Sequence, residues 1–274
     1  RKSIVLFLSV FFLFSLCIPA SAEAPERVSV SSAEEFLAAI RNDATIIMES
    51  GTYDLTAVSD YGSSTSPYYR WASDNGAYSL TVTGISNLTI IGSPETILIA
   101  PCSSTNLLSF ENCSGISLSY LTFAREDYST VSNGSLLSFL LCSDVSAARC
   151  SFLGEGSGLR LELSHRVHLS GCLFSGCKAG AVLVHESGDI VLDECSVTAC
   201  SSTTEDLSED LFRFIRCSDA AVINSDISGN TALTMFRLSD SDFYLGGCSI
   251  HDNRVIGSVY SIDTIAPVID SCEF

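Results

Sequence analysis

Apolar and polar residues alternate along most of this chain with a period of two. LLSFEN (107–112), LLSFLL (136–141), LRLEL (159–163), VLVHE (182–186), FRFIR (212–216) and LTMFR (233–237) carry the pattern of half-buried strands. Each is followed by a second alternating segment that opens on small or polar residues. These read SGISLSYLTF (114–123), SDVSAARCSF (143–152), HRVHLSGCLF (165–174), GDIVLDECSV (188–197), SDAAVINSDI (218–227) and SDFYLGGCSI (241–250), with APVIDSCEF (266–274) as a further copy. One position in them is held by Leu121, Cys150, Cys172, Cys195, Ser225, Cys248 and Cys272, 22 to 30 residues apart. An apolar residue stands two places after each, from Phe123 to Phe274.

Short strands joined by tight turns, recurring at this interval, predict the rungs of a parallel β-solenoid. Rungs stack at about 4.8 Å, the spacing between paired strands, so equivalent side chains form ladders. Alternation points Leu108/Phe110, Leu137/Phe139, Leu159/Leu161, Val182/Val184 and Phe212/Phe214 inward. Cys150, Cys172, Cys195, Cys248 and Cys272 form an inward column, Cys113, Cys142 and Cys217 close the preceding strand, and Cys177 and Cys200 share a turn with Asn230. Free cysteine packs as a small buried hydrophobe, so these columns predict a ladder of reduced thiols, with a disulfide framework as the alternative. Residues 124–135 and 201–210 are polar and acidic and predict loops leaving the stack. The periodicity slips by about two residues near Asp240–Asp242.

The N-terminus differs. RKSIVLFLSVFFLFSLCIPASA (1–22) has two cations, an apolar run and an A-x-A site, which predict a secretory signal peptide rather than a transmembrane anchor. The mature domain is then 23–274, exported and extracellular or at the cell surface. Its helix, about 32–41, has Ser31 or Ser32 as N-cap, Glu34 or Glu35 in the first turn, and Phe36, Leu37 and Ile40 as its apolar stripe. A strand follows at Ala44–Met48. A solenoid needs a cover over its first rung, and the helix is the predicted cap. The chain stops at Phe274 inside a rung, so the last rung is expected to be truncated and the natural protein to continue.

Composition narrows the partners. With 32 Asp+Glu against 14 Lys+Arg and a net charge of −18, nucleic acid is excluded, and so is an anionic membrane surface once the signal is cleaved. Cleavage removes Cys17 and leaves an odd number of cysteines, none in a C-x-x-C pair. No cofactor is expected.

The helix, ATIIMESGTYDL (44–55), ISNLTIIGSPETILI (85–99) and NLLSFENCSGISLSYLTF (106–123) together resemble the right-handed parallel β-helix, or pectin-lyase-like, superfamily. In particular, the chain is similar to secreted β-helix repeat proteins of anaerobic gut bacteria. The resemblance implies an all-β right-handed solenoid over about 28–274. It implies that the partner is an extracellular polysaccharide or cell-surface glycan held in the lateral groove. Its enzymes are mostly polysaccharide lyases and glycoside hydrolases; other members are adhesins or have no known activity. The Asn-Thr-Asp, Asp-Asp, Gly-His-Gly and Arg-Ile-Lys motifs of polygalacturonase-like enzymes do not occur here, nor does a pectate-lyase-like Arg-x-Pro-x-x-Arg. A non-catalytic adhesive protein is therefore one alternative. A lyase in which Ca²⁺ bridges the acidic protein and an acidic substrate is another.

Candidate site residues fall in two places. Arg160, Glu162, His185 and Arg213 project outward from successive rungs of one face, which in related folds lies in the sugar-binding groove. Arginine forks suit uronate carboxylates, and histidine beside glutamate suits proton transfer; a solvated face with stacked ion pairs is the bland alternative. The loop 60–78 gathers Tyr68, Tyr69, Arg70 and Trp71, either to stack on sugar rings or to pack over the first rung. Asp240 and Asp242 would share one strand face about 6.6 Å apart, within reach of an inverting carboxylate pair, unless S-D-S-D is a turn. His165 and His168 point outward near His185, but no carboxylate or cysteine joins them, so no metal site is predicted.

Overall fold

The computed structural model describes residues 26–74, 77–100, 105–125, 134–202, 210–263 and 266–274. The expected signal peptide, residues 1–22, lies outside them, as do the cores of the two predicted loops, 126–133 and 203–209. The described chain is a three-faced parallel solenoid. The first sheet has ten strands, from Glu26–Val30 to Val268–Asp270, the second eight, from Gly51–Asp54 to Ser249–His251, and the third ten, beginning at the hairpin Tyr69–Asp74/Ala77–Thr83. Among the described residues no helix is long and apolar enough to cross a membrane.

Register follows the predicted columns. Leu137 stacks on Leu108 and under Leu159, then Val182 and Phe212. Phe123, Phe152 and Phe174 stack face to face, with ring centroids 5.4 and 4.6 Å apart. All these side chains are fully buried. In-register stacking of identical large residues fills the narrow core without a gap at each rung.

The corners explain the cysteines. Each rung turns through a residue in the left-handed region: Asn112, Leu141, Leu163, Glu186 and Arg216 at the first corner, and Tyr120, Arg149, Glu194 and Asn224 among those at the second. The next residue then points into the corner, where a small side chain fits on most rungs and Leu121 finds room beside Gly92. That residue is Cys113, Cys142, Ser164, Ser187, Cys217 and Ser241 at the first corner, and Leu121, Cys150, Cys172, Cys195, Ser225, Cys248 and Cys272 at the second. At the third it is Cys177, Cys200, Asn230 and Asn253. The thiols lie against backbone carbonyls, Cys142 with Phe110 O at 3.4 Å and Leu140 O at 3.3 Å. Serine does more: Ser164 Oγ accepts from Cys142 N at 3.1 Å and donates to Glu162 O at 2.9 Å. Cysteine, serine and asparagine thus serve one steric and hydrogen-bonding role, and all ten described cysteines are free thiols.

Several expectations change. The helix spans Ala33–Ala39, shorter than 32–41, because Ile40 is already extended. Ser32 is its N-cap and accepts from Glu35 N, while the Glu35 carboxylate reaches back to Ser31 N at 2.8 Å, a reciprocal cap. The loop 60–78 contains an antiparallel hairpin that pairs Trp71 with Leu80 and seeds the third sheet. The ends of the predicted loop 124–135 lie in strands Thr122–Arg125 and Ser135–Leu140, and those of 201–210 in Ser201–Ser202 and Asp210–Ile215.

The register slip near Asp240 is one residue, not two. Ser241 stacks on Cys217 and Phe243 on Ala220, so this rung omits the left-handed position that Asp144, Arg166, Asp189 and Asp219 occupy. Asp240 and Asp242 stand in the turn before Phe243–Gly246, with Asp240 left-handed. They do not share a strand face, and the paired-carboxylate geometry drops out.

Candidate functional site: the outward face of the third sheet

The third sheet turns two rows of side chains away from the core. One runs Thr81, Ser109, Ser138, Arg160, Leu183, Arg213 and Arg237; the other runs Thr83, Glu111, Leu140, Glu162, His185, Ile215 and Ser239. The four predicted groove residues are brought together: Arg160, Glu162, His185 and Arg213 line one cleft of about 220 Å³, floored by Leu183 and Ile215. Arg160 and Arg213 stand two rungs apart, about 9.6 Å at the strand spacing.

Every polar group of this cleft has a protein partner that fixes its direction. Arg160 Nη2 donates to Glu162 Oε2 at 3.3 Å. Arg213 Nε donates to Asp210 Oδ2 at 2.6 Å, and the Asp210 carboxylate is almost fully buried. A buried carboxylate holding one edge of a guanidinium leaves its remaining donors directed along the face. His185 Nε2 lies 2.6 Å from Arg216 Nη2, and Arg216 Nε donates to Glu186 Oε1 at 2.8 Å. Asp210, Arg216 and Arg237 had no place among the predicted site residues. Arg237 was visible as the next rung of the row, whereas Asp210 and Arg216 act across a loop and a turn that alternation does not report.

The aromatic candidates part company. Tyr69 is buried, and its hydroxyl donates to Asp60 Oδ2 at 2.8 Å; burial first, and the Asp60 carboxylate next, raise its phenol above the ordinary value. Trp71 Nε1 reaches Asp60 Oδ1 at 3.4 Å, and the Trp71 ring meets Tyr61 edge-on at 5.0 Å. Tyr68 and Trp71 are half-buried against the core. These rings build the hairpin onto the first rungs. Arg70 alone among the four is exposed, and it pairs with Glu111 at the N-terminal end of the outward rows.

The histidines do not gather. His168 projects from the first sheet, in the row of Ser146 and Val191, while His185 projects from the third. Among the described residues no group of three or more His, Cys, Asp or Glu is placed to hold a metal ion.

Comparison with known proteins agrees with this architecture. Residues 136–274 match the family described as the right handed beta helix region. The chain belongs to the right-handed β-helix family. A pectate lyase from Paenibacillus sp. 0602 superposes on this β-helix protein with a TM-score of 0.57 at 10% identity, over 91% of this chain and 85% of that one. An alginate lyase from Paenibacillus sp. str. FPU-7 gives 0.45 at 10% identity, over 88% and 100%. A mannuronan C-5 epimerase module from Azotobacter vinelandii gives 0.42 at 12% identity, over 89% and 99%. At such identities the likeness is one of fold. No curated protein matches the sequence of this β-helix.

Proposed function

We propose that this β-helix is an exported bacterial protein that binds an extracellular polysaccharide along the outward face of its third sheet. The observation that carries the reading is the cleft in which Arg160, Glu162, His185 and Arg213, from three consecutive rungs, converge with their donors aimed along the face. A row of arginines at rung spacing suits a polymer whose carboxylates recur along its length, and Arg237 extends that row. The export pattern at 1–22 puts such a polymer within reach, and pectate lyase, the activity named for the Paenibacillus protein of like fold, acts on one. Arg160 and Arg213 are each held by a carboxylate on one edge, so it is their remaining donors that an anionic ligand would meet.

The reading is one of binding. The outward carboxylates Glu111 and Glu162 are each tied to an arginine, and His185 Nε2 is occupied by Arg216, so the proton-transfer groups a hydrolase needs are engaged elsewhere. The test is retention on immobilised polygalacturonate, alginate and neutral glycans, with and without Ca²⁺. The Arg160→Ala/Arg213→Ala protein should lose about tenfold or more in affinity for the anionic polymers, as expected for two charge-assisted contacts. Unchanged affinity in that variant would sink the groove reading. Unsaturated or reducing-end products released by the wild type would move it from a binding protein to an enzyme.

A further inference from the structure

At the N-terminal end of the same face lies a second cleft, of about 290 Å³, whose chemistry differs. Its polar lining is neutral: Ser79 and Thr81 from the hairpin, Ser109 and Ser138 from the next two rungs, and Asn106 from the turn before Leu108. Among the described residues its only charges, Arg70 and Glu111, are paired with each other. Leu140 and Ala72 supply an apolar part of the wall.

Ser79 is the telling residue. Its side chain is buried, 5% exposed, and its hydroxyl has no hydrogen-bond partner among the described residues. A buried hydroxyl left unpaired costs about 1–3 kcal/mol, so such groups persist where something satisfies them. Thr81, 4% exposed, stands two residues along on the same strand face, and Ser109 and then Ser138, the latter 7% exposed, stack on Thr81. Asn106 is locked: its Oδ1 accepts from Ser135 N at 2.9 Å and its Nδ2 donates to Ser109 Oγ at 3.0 Å, which turns the Ser109 proton outward. The result is a fixed set of hydroxyls able both to donate and to accept, with no net charge.

We propose that this cleft binds one uncharged sugar ring, a neutral pyranose unit of a glycan. The proposal rests on the reading of this face as a glycan-binding surface and adds the class of sugar at one of its ends. Hydroxyl groups of a neutral ring both donate and accept and therefore match Ser79, Thr81, Ser109 and Ser138, whereas a uronate carboxylate only accepts and finds Arg70 already neutralised by Glu111. The volume falls just below the usual range for drug-sized ligands and suits one ring rather than several. Leu140 and Ala72 are placed to meet the apolar C–H surface of the ring.

The experiment is saturation-transfer NMR on the full chain with the methyl glycosides of glucose, galactose and mannose, and with galacturonate, beside polymer retention on the same sample. At least one neutral glycoside should give transfer. Ser79→Ala and Thr81→Val, each checked for native circular dichroism, should weaken it by about five- to tenfold, the loss of one hydrogen bond to a ligand. Galacturonate should bind no better than the neutral glycosides. Polymer retention without transfer to any neutral glycoside overturns the pocket and leaves the groove; the hydroxyls are then satisfied by water alone. Transfer that is unchanged in both variants, or a preference for galacturonate, also overturns it. Glycoside binding without polymer retention supports the pocket and removes the groove reading instead.

Discussion

Arg216 Nη2 lies 2.6 Å from His185 Nε2, and this contact sets the chemistry of the one histidine in the groove. A guanidinium has donors and no acceptor, so in this contact His185 Nε2 accepts and the ring donates through Nδ1. Long-range ¹⁵N–¹H NMR at neutral pH should show the Nδ1–H tautomer in the wild type. In Arg216→Met, which removes the donor, the signal should move toward the Nε2–H form or a mixture. A protonated or Nε2–H His185 in the wild type would show that Arg216 points elsewhere in solution.

The Cys172 position tests the corner rule. Its thiol is buried and sits 3.4 Å from Ala147 O, while serine fills the same column at Ser225, donating to Ile223 O at 2.7 Å and accepting from Cys195 N at 3.0 Å. Cys172→Ser should therefore stay within about 1 kcal/mol of the wild type in urea unfolding. Cys172→Leu, with Cys150 and Cys195 on either side and no glycine making room as Gly92 does for Leu121, overfills the corner and should cost about 1–3 kcal/mol. A larger loss for serine than for leucine would reject the equivalence of the two residues.

The same columns predict thiol behaviour. The hydrogen bond from Cys150, together with burial, pushes the Cys172 thiol up to about 12, so little thiolate is present near neutral pH. Native protein should react slowly with a thiol reagent, and unreduced protein unfolded in denaturant should expose most of its cysteines. Recovery of only a minority would mean that the protein closes its ladder into disulfides.

Much of this could be read from the chain, and the reasons are specific. Between Leu107 and Arg216 two strands per rung alternate strictly and a cysteine marks the corner, so the stacking of Phe139 on Phe110 and of His185 on Glu162 followed without a structure. Ser164, Ser187 and Ser241 were hidden as corner residues because serine is common everywhere in the chain, although they occupy the place of Cys142 and Cys217. The strand Glu26–Val30 has too little apolar character to announce itself and forms because Ala44–Met48 offers it an edge. The neutral cleft was out of reach for another reason: Thr81 stacks on Ser109 and Ser138, with Ser79 two residues along, only because the hairpin folds Ala77–Thr83 onto the sheet beside them.

His251 gives a pH dependence with a definite sign. Asp252 first, then Asp226, raise its folded-state value above the ordinary 6.5. A raised histidine contributes stability that is fully present below the unfolded value and is lost as pH rises through the folded one. The wild type should thus melt above His251→Gln at mildly acidic pH, and the gap should close from about pH 6.5 upward. The side chain is exposed and the gap will be small. A gap that widens with pH would reverse the assignment.

Phe174 binds the last prediction to the core. Its ring stacks on Phe152 at 4.6 Å, and on its other side it reaches Gly158, where an added Cβ would lie 2.5 Å from Phe174 Cδ1 and 2.7 Å from Ala181 O. The glycine is there for the close approach of the ring and of a neighbouring strand, since its φ is not left-handed. Gly158→Ala must displace a ring that is itself held in a stack, at about 1–3 kcal/mol. Phe174→Leu alone loses ring contacts and leaves a void. Combining the two removes the ring part of the clash, so the double variant should be less destabilised than the sum of the singles, while the contact with Ala181 O keeps the recovery incomplete. Equilibrium denaturation of the four proteins reads the coupling; strict additivity would mean that Gly158 does not touch the phenylalanine stack.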